Sequence, residues 1–307
     1  MTPWIEHAID LAAGTLVVGE RPGPDRHAPV VLLLHGFTGS GLGWRRVAEH
    51  LPEARVLAPD LPGHGRSRFA DEEQACRMET ASRLLARALD EIGAPRCTLG
   101  GYSMGGRLAL HFALSEPGRV DHLVLESASP GLPTEAEREA RRRHDEDLAI
   151  SIERDGVEAF LARWQTTPVL ASQLHLPEHL RREADAERRD NRAAGLSASL
   201  RAMGTGVQPW LGDRLHELDV PVTLVAGQDD AKFLAIASEM AARISGARLA
   251  PLPAGHNVHL EHPRSFARLL DPEALQQGRD ARGDEGRKSR TAVRADFSAS
   301  RRTGIEG

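Results

Sequence analysis

Short runs of aliphatic residues alternate along the chain with segments in which apolar residues recur at helical spacing. The first run is Val30–Leu34, and similar runs follow at 55–58, 120–126 and 220–227. Runs of this kind are typical of strands that are buried on both faces of a parallel sheet. Between them, residues 72–92 have the period of an amphipathic helix. This alternation predicts an α/β fold with a doubly wound, mostly parallel sheet.

Weaker patterns at the two ends complete the predicted core. Residues 5–19 carry mixed apolar and polar positions, which predict one or two edge strands. After the last long aliphatic run, the sequence predicts a helix at 232–244, a strand at 247–250 and a helix from about 263 to 270. Ligands of such a sheet bind beyond the carboxyl ends of its strands, so the loops there are the places to look for chemistry.

The strand pattern stops between residues 131 and 210. Within this stretch, residues 134–166 and 177–204 are charged and helical in period. We therefore predict that 131–210 is a helical cap. It would lie over an α/β core formed by residues 1–130 and 211–275.

Composition narrows the possible functions. The formal net charge of the 307 residues is −5, which gives no reason to expect a nucleic-acid partner. No basic segment followed by an apolar run opens the sequence and no run has membrane-spanning length, so we expect a cytoplasmic protein that does not bind membranes. Cys76 and Cys97 cannot form a disulfide framework, and no Cys/His cluster has zinc spacing.

The last segment, 276–307, is rich in Arg, Gly, Asp and Ser and poor in apolar residues. Such a segment buries too little surface to offset the entropy of ordering, so we predict a disordered tail. Nothing in the sequence calls for a metal or another cofactor. It also leaves open whether the protein is a monomer or a homo-oligomer.

One glycine-flanked serine stands between a predicted strand and a predicted helix. The pattern is Gly101-x-Ser103-x-Gly105, with strand character at 96–99 before it and helical spacing at 107–114 after it. In a nucleophile elbow the serine occupies a sharp strand-to-helix turn, and glycine is needed on both sides because a Cβ would clash there. The context therefore predicts that Ser103 is catalytic.

A serine hydroxyl needs a neighbouring base to accept its proton. In this fold the three partners follow the chain order Ser, acid, His. His256 lies on the loop after the last predicted strand, from which it could reach Ser103, whereas His259 and His262 lie nearer to or inside the following helix. We predict that His256 is the base.

The acid is expected after the strand that ends near residue 227. Two candidates stand there, Asp229 and Asp230, and Asp230 occupies the usual position of the turn. Its role would be to orient the imidazole and stabilise the imidazolium. An N-cap for the helix at 232–244 is the competing interpretation of Asp230.

An oxyanion hole needs two backbone donors, and the candidates are the N–H groups of Phe37 and Met104. Met104 follows the nucleophile, and Phe37 lies in the loop after the first buried strand. Three polar residues in the neighbouring loops, His35, Asp60 and His64, are predicted to be structural.

These motifs resemble the α/β-hydrolase family over about residues 28–272. Within it the sequence is most similar to the MenH-type lyases. The resemblance is carried by 35–40 with Trp44, 62–67, 101–107, 130–132, 137–138, 141–145, Trp164 with 168–169, 203–209, 230–233 and 255–257.

The resemblance implies a lyase of menaquinone (vitamin K2) biosynthesis. Its expected reaction eliminates pyruvate from 2-succinyl-5-enolpyruvyl-6-hydroxy-3-cyclohexene-1-carboxylate and leaves 2-succinyl-6-hydroxy-2,4-cyclohexadiene-1-carboxylate. The triad would act as the base that removes a carbon-bound proton. The substrate is a small polycarboxylate, and the positions that resemble the family's substrate-binding residues are Tyr102, Arg107, Arg141, Trp164 and Arg188.

The chemistry of arginine supports a role in binding this substrate, because guanidinium groups pair bidentately with carboxylates. The match near residue 188 is loose, so Arg189 is an alternative to Arg188. The cap arginines are otherwise explained as a solvated face with acidic partners one turn away. Two other functions stay open: a serine carboxylesterase or C–C bond hydrolase with the same triad, and a binding protein whose triad is a relic.

Overall fold

Nine strands form one sheet in the computed structural model, which describes residues 3–11 and 13–271. They are β1 (Ile5–Leu11), β2 (Gly14–Arg21), β3 (Val30–Leu34), β4 (Arg55–Pro59), β5 (Arg68–Phe69), β6 (Cys97–Tyr102), β7 (Val120–Glu126), β8 (Val222–Gly227) and β9 (Arg248–Leu252). Their spatial order is β1-β2-β4-β3-β6-β7-β8-β9, with β5 paired to β2. The six strands from β4 to β9 in this order are mutually parallel, and β1, β2 and β5 make an antiparallel edge. The predicted fold class is confirmed.

Helices flank the sheet and build the cap. They are α1 (Arg45–Ala48), α2 (Glu72–Cys76), α3 (Met78–Glu91), α4 (Met104–Ser115), α5 (Glu135–Trp164), α6 (Glu178–Arg189), α7 (Ala193–Met203), α8 (Ala231–Arg243), α9 (Val258–Glu261) and α10 (Pro263–Leu270). The helix predicted at 72–92 is in fact two helices, because Arg77 adopts an extended conformation with ψ of 137°. Likewise α5 is interrupted at Gly156, whose φ is 82°.

The five residues of β3 are all apolar because both faces of this strand are covered. Leu32 and Leu34 pack into one apolar cluster, with residues of α3, α4 and α8. Val31 and Leu33 point to the other face and pack with residues of α1 and α10. Alternate side chains therefore enter two different cores, as expected for a strand that is covered on both faces.

The cap has an apolar core of its own, where α5 packs against α7. Its buried members are Ala149, Ile152, Phe160, Leu161, Leu196 and Leu200. Cap and sheet both lie within a single compact unit that ends at Leu270. The exact division into core and cap stays a prediction, and the tail predicted at 276–307 lies outside the described residues. No helix in the described part of the chain is long and apolar enough to cross a membrane.

Candidate active site

Ser103 stands at the apex of the turn between β6 and α4. Its φ is 50° and its ψ is −107°, a conformation that costs a non-glycine residue about 1–3 kcal/mol. Two backbone hydrogen bonds hold it: the Ser103 N–H donates to the Glu126 carbonyl at 2.8 Å, and the Arg107 N–H donates to the Ser103 carbonyl at 3.0 Å. The surrounding backbone therefore fixes the strained turn.

The two flanking glycines are required by contact distances. A Cβ on Gly101 would lie 2.5 Å from the carbonyl oxygen of Gly105. A Cβ on Gly105 would lie 2.2 Å from the carbonyl oxygen of Leu34. Because both obstacles are backbone atoms of packed elements, neither can move aside cheaply. Only glycine lets α4 start this close to the sheet.

The structure joins Ser103, His256 and Asp230 in one hydrogen-bonded chain. His256 Nε2 lies 3.2 Å from Ser103 Oγ, and His256 Nδ1 lies 2.6 Å from Asp230 Oδ2. The imidazole is buried, and its ring meets the edge of the Phe233 ring at a centroid distance of 4.5 Å. This is the geometry in which an imidazole can accept the proton of a serine hydroxyl.

Asp230 serves the imidazole and the following helix together. Its Oδ1 accepts the Phe233 N–H at 3.2 Å and so caps α8, while Oδ2 faces His256. Burial alone would raise the pKa of this carboxyl, but the hydrogen bond and the charge of His256 outweigh it and lower the pKa. Both sequence interpretations of Asp230 are thus present in the structure. The alternative acid, Asp229, is exposed.

The other two histidines of this region have different partners. His259 Nδ1 is 2.7 Å from the buried carboxylate of Glu126. His262 Nε2 is 2.8 Å from the Pro253 carbonyl. Neither ring is hydrogen-bonded to the nucleophile.

The candidate oxyanion donors lie on both sides of the serine. Met104 is the first residue of α4, where a backbone N–H has no partner inside its helix. Phe37 lies in the loop after β3, and both residues line the cavity that contains Ser103 and His256. Neither N–H makes a hydrogen bond within the described residues, so both are available to an oxygen that gains negative charge.

The polar residues predicted to be structural are tied into the loops. His35 Nε2 accepts the Leu61 N–H at 2.9 Å, so Nδ1 carries the proton and donates to the Gly36 carbonyl at 2.8 Å. Burial lowers the pKa of His35. Burial, together with the charge of the neighbouring His35, lowers the pKa of His64 to about 3. The buried carboxylate of Asp60 accepts backbone N–H groups from two loops.

The cavity above Ser103 has a volume of about 310 Å³ and lies between the strand ends and the cap. Among the described residues, its charged lining residues are Arg107, Arg141 and Lys232, and no Asp or Glu lines it. Trp164 forms part of its wall. A cavity with this lining favours a small molecule that carries several negative charges.

Arg107 and Arg141 reach the cavity from the core and from the cap. Arg107 donates to the Met203 carbonyl at 2.8 Å and to the Gln208 side chain. Burial, and secondarily the charge of Arg141, lowers the pKa of Arg107 to about 9, so the guanidinium is still charged at neutral pH. Arg141 Nε lies 2.7 Å from Asp145 Oδ1, one helical turn away.

Two predicted substrate-binding residues do not line this cavity. Tyr102 ends β6, and strand alternation turns its side chain toward the opposite face from Leu99, into the cluster of Trp44. Arg188 donates to Gln173 at 2.6 Å and to Asp185 at 3.2 Å, which keeps its guanidinium among cap residues. The alternative, Arg189, is exposed.

Sequence reasoning passed over Lys232 as a binding residue. Its ammonium lies 5.5 Å from the centroid of the Phe233 ring, and its side chain lines the cavity. Its position two residues after Asp230, at the start of α8 near the carboxyl edge of the sheet, was the available signal. Among the described residues, no group of three or more His, Cys, Asp or Glu side chains could hold a metal ion.

Comparison with known proteins places these features in a family. The sequence model of the alpha/beta hydrolase fold matches residues 29–263. The chain is 43% identical over 249 residues to a Bacillus subtilis (strain 168) protein provisionally named 2-succinyl-6-hydroxy-2,4-cyclohexadiene-1-carboxylate synthase, with 81% of this chain and 90% of that protein covered. It is 36% identical to a Serratia proteamaculans (strain 568) protein of the same name, with 79% and 91% covered.

A solved structure agrees with the sequence relatives. The fold matches MenH from S. aureus with a TM-score of 0.79 and 31% sequence identity, covering 85% of this chain and 97% of that chain. A thermophilic esterase from Thermogutta terrifontis matches with a TM-score of 0.72 and 25% identity, covering 90% and 98%. The same fold thus includes proteins named for different activities, and the site must distinguish between them.

Proposed function

The chain belongs to the alpha/beta hydrolase fold family and, within it, to the family of the 2-succinyl-6-hydroxy-2,4-cyclohexadiene-1-carboxylate synthases, and from this premise we propose that it is a carbon–oxygen lyase of menaquinone biosynthesis. It eliminates pyruvate from 2-succinyl-5-enolpyruvyl-6-hydroxy-3-cyclohexene-1-carboxylate. One observation carries the proposal: the Ser103–His256–Asp230 chain opens into a cavity whose charged lining residues are all cationic. A cytoplasmic location is part of the same proposal.

The bond changes follow from the structures of substrate and product. The substrate has a ring double bond between carbons 3 and 4, and the product is a 2,4-diene. The proton that leaves is therefore on carbon 2, beside the succinyl carbonyl. Its C–H electron pair forms the 2,3 double bond, the 3,4 double bond moves to 4,5, and the bond from carbon 5 to the enolpyruvyl oxygen breaks. Enolpyruvate leaves with that electron pair and is protonated to pyruvate.

Ser103 and His256 share the role of base. The Ser103 oxygen removes the carbon-bound proton while His256 Nε2, 3.2 Å away, accepts the hydroxyl proton. Asp230 holds the imidazole in the required tautomer and stabilises its cationic form. The proton held by His256 is then available to the departing enolpyruvate. No bond between Ser103 and the substrate is needed.

The N–H groups of Phe37 and Met104 stabilise the enolate oxygen that develops on the succinyl carbonyl. Removing one such donor typically costs about a hundred- to thousandfold in rate. A neutral backbone donor suits this task because its position is fixed before the charge appears, so no reorganisation is needed during the reaction.

The cations match the charge of the substrate. The substrate carries three carboxylates: one on the ring, one at the end of the succinyl group and one on the enolpyruvyl group. Arg107, Arg141 and Lys232 supply three positive charges around the cavity. We propose that they hold these carboxylates, with Trp164 against the apolar part of the substrate. Roles for Tyr102 and Arg188 would require a rearrangement of their present contacts.

Two assays on the same preparation test the proposal. One measures pyruvate release from the cyclohexene substrate, and the other measures hydrolysis of an uncharged aryl ester. The lyase proposal predicts that kcat/KM for pyruvate release exceeds that for ester hydrolysis by several orders of magnitude. Rapid ester hydrolysis without pyruvate release would instead support the carboxylesterase alternative. Tight binding of the substrate without turnover of either compound would support the relic triad.

A further inference from the structure

The loop after β3, residues 35–40, carries the candidate oxyanion donor Phe37. Two cap side chains hold this loop from above. They are Glu187, in the last turn of α6, and Asn191, which lies two residues beyond the end of that helix and four residues after Glu187. Positions four apart lie on the same face of a helical segment, so both side chains reach the same loop.

The side-chain amide of Asn191 connects the cap to two core loops through hydrogen bonds. Its Nδ2 donates to the Thr38 carbonyl at 2.7 Å and to the Arg188 carbonyl at 3.1 Å. Its Oδ1 accepts the Gly65 N–H at 3.0 Å. The side chain is buried, so each of these bonds would be costly to leave unmade.

Glu187 holds the other end of the loop. Its Oε1 accepts the Ser40 N–H at 2.6 Å and the Ser40 hydroxyl at 2.9 Å. Ser40 in turn caps the helical turn that follows, because its Oγ accepts the Leu42 N–H at 3.1 Å. Glu187 therefore fixes the point where the loop becomes helical again.

Two features indicate that the loop needs these bonds in addition to its packing. Thr38, which follows Phe37 directly, has a φ of 68°, a strained value for a β-branched residue. In addition, a cavity of about 60 Å³ is lined by the loop on one side and by Ala184, Glu187 and Arg188 on the other. A strained backbone next to a void needs directional restraints to stay in place.

We propose that Glu187 and Asn191 are positioning residues that fix the Phe37 N–H and so make the oxyanion hole dependent on the docked cap. They do not touch the reacting atoms. The inference rests on the proposed role of the Phe37 N–H, but it holds for either a lyase or a hydrolase. It also gives α6 a function that does not involve substrate charge.

Kinetics of four variants test the coupling. Asn191→Asp removes the donor to Thr38 but keeps the size of the side chain, and Glu187→Ala removes the oxygen that accepts both Ser40 hydrogen bonds. We expect each to lower kcat about tenfold or more while KM changes less than twofold. Glu187→Gln keeps an acceptor oxygen and should restore most of kcat. Glu183→Ala is the matched control, because Glu183 lies one turn earlier on α6 and pairs with Arg46 at the surface.

Amide hydrogen exchange supplies a readout that does not depend on the reaction. In Asn191→Asp and Glu187→Ala, the backbone amides of residues 37–42 should exchange at least about tenfold faster, while those of α4 keep their native rates. Unchanged exchange in the loop, or unchanged kcat in both variants, would overturn the proposal. So would a rise in KM with kcat intact, because that result would assign the two residues to substrate binding.

The exchange measurement separates this inference from the lyase assignment. If the native protein releases no pyruvate, the assignment fails, while the loop amides and kcat for aryl ester hydrolysis still decide the coupling. If pyruvate is released but the variants exchange and react like the native protein, the coupling alone fails.

Discussion

Ser103 and Arg141 line the same cavity, but the chain holds them in different ways. Ser103 is fixed by backbone: a positive φ, two glycines that admit no Cβ, and hydrogen bonds to the neighbouring strand. Arg141 is held by its side chain alone, through an ion pair with Asp145 one turn along a cap helix, and 40% of its side chain is exposed. The core thus holds the reacting groups in fixed positions, whereas the cap supplies charged side chains whose positions can adjust.

The difference explains how one fold serves several reactions. The positions of groups at the strand ends depend on sheet geometry. Any protein with this sheet can therefore place a serine, a histidine and an acid in the same arrangement. A side chain on a cap helix can be replaced without disturbing the sheet. The core therefore defines what kind of bond change is feasible, whereas the cap selects the molecule that undergoes it. Four changes to the protein or its conditions test this division.

Replacing the hydroxyl should remove the chemistry without affecting the fold. For Ser103→Ala we expect kcat for pyruvate release to fall at least about a thousandfold, because the group that contacts the substrate proton is lost. The midpoint of thermal unfolding should not fall. Ser115→Ala, at the end of α4, is the control and should keep native kcat. Retention of more than a tenth of native kcat in Ser103→Ala would remove the serine from the mechanism.

Gly105→Ala tests the rigidity of the core. The added Cβ would meet the Leu34 carbonyl oxygen at 2.2 Å, so the variant should lose about 3 kcal/mol or more of unfolding free energy, or fail to fold. Gly118→Ala is the control for an added methyl group without a steric clash: its φ of 88° is unfavourable for alanine, but its Cβ would meet nothing within 4 Å. It should lose only about 1 kcal/mol. Denaturant unfolding measures both, and equal losses would contradict the steric argument.

Arg141→Gln tests the cap. Loss of a charge-assisted contact of about 1.5–3 kcal/mol should raise KM roughly ten- to hundredfold, with a smaller effect on kcat. Arg143→Gln is the comparison, since Arg143 lies on the same helix, pairs with Glu139 and does not line the cavity. Steady-state kinetics of pyruvate release should show native KM for this second variant. Equal KM in both variants would mean that Arg141 does not bind substrate.

The fourth prediction concerns pH. The pKa of Asp230 is lower in the folded protein than its ordinary value of about 3.9, so the unfolded chain binds more protons there. The ionised carboxyl therefore stabilises the fold above that value, and this contribution is lost as the pH falls through the folded-state pKa. Asp230→Asn should lack this component. Chemical unfolding at several pH values would show a native-minus-variant difference that shrinks on acidification; a growing difference would reverse the sign of the shift.

The sequence alone was sufficient to predict the features whose position the backbone determines. The elbow glycines, the run Val30–Leu34 and the order of Ser103, Asp230 and His256 are local or ordinal signals, and the structure places the three side chains together. Strand alternation could also have placed Tyr102, which points away from the face that carries Leu99. The break at Arg77 could not be read from periodicity, because a single extended residue leaves the apolar spacing almost unchanged.

Side chains on the cap were harder to place. Arg188 is turned toward Gln173 and Asp185 by tertiary contacts that no spacing rule contains. The contacts of Glu187 and Asn191 with the loop after β3 join residues about 150 positions apart in the chain, and a single sequence gives no sign of such pairs. The substrate itself was inferred from family resemblance rather than from cavity shape.

We propose that a triad fixed by the core performs an elimination on a polycarboxylate held from the cap and the strand ends. The most direct measurement follows pyruvate and the conjugated diene chromophore together in one reaction of the native protein with the cyclohexene substrate. Both should appear at the same rate in a one-to-one ratio. Substrate consumption that yields no diene, or diene formation at the same rate with Ser103→Ala, would overturn this proposal.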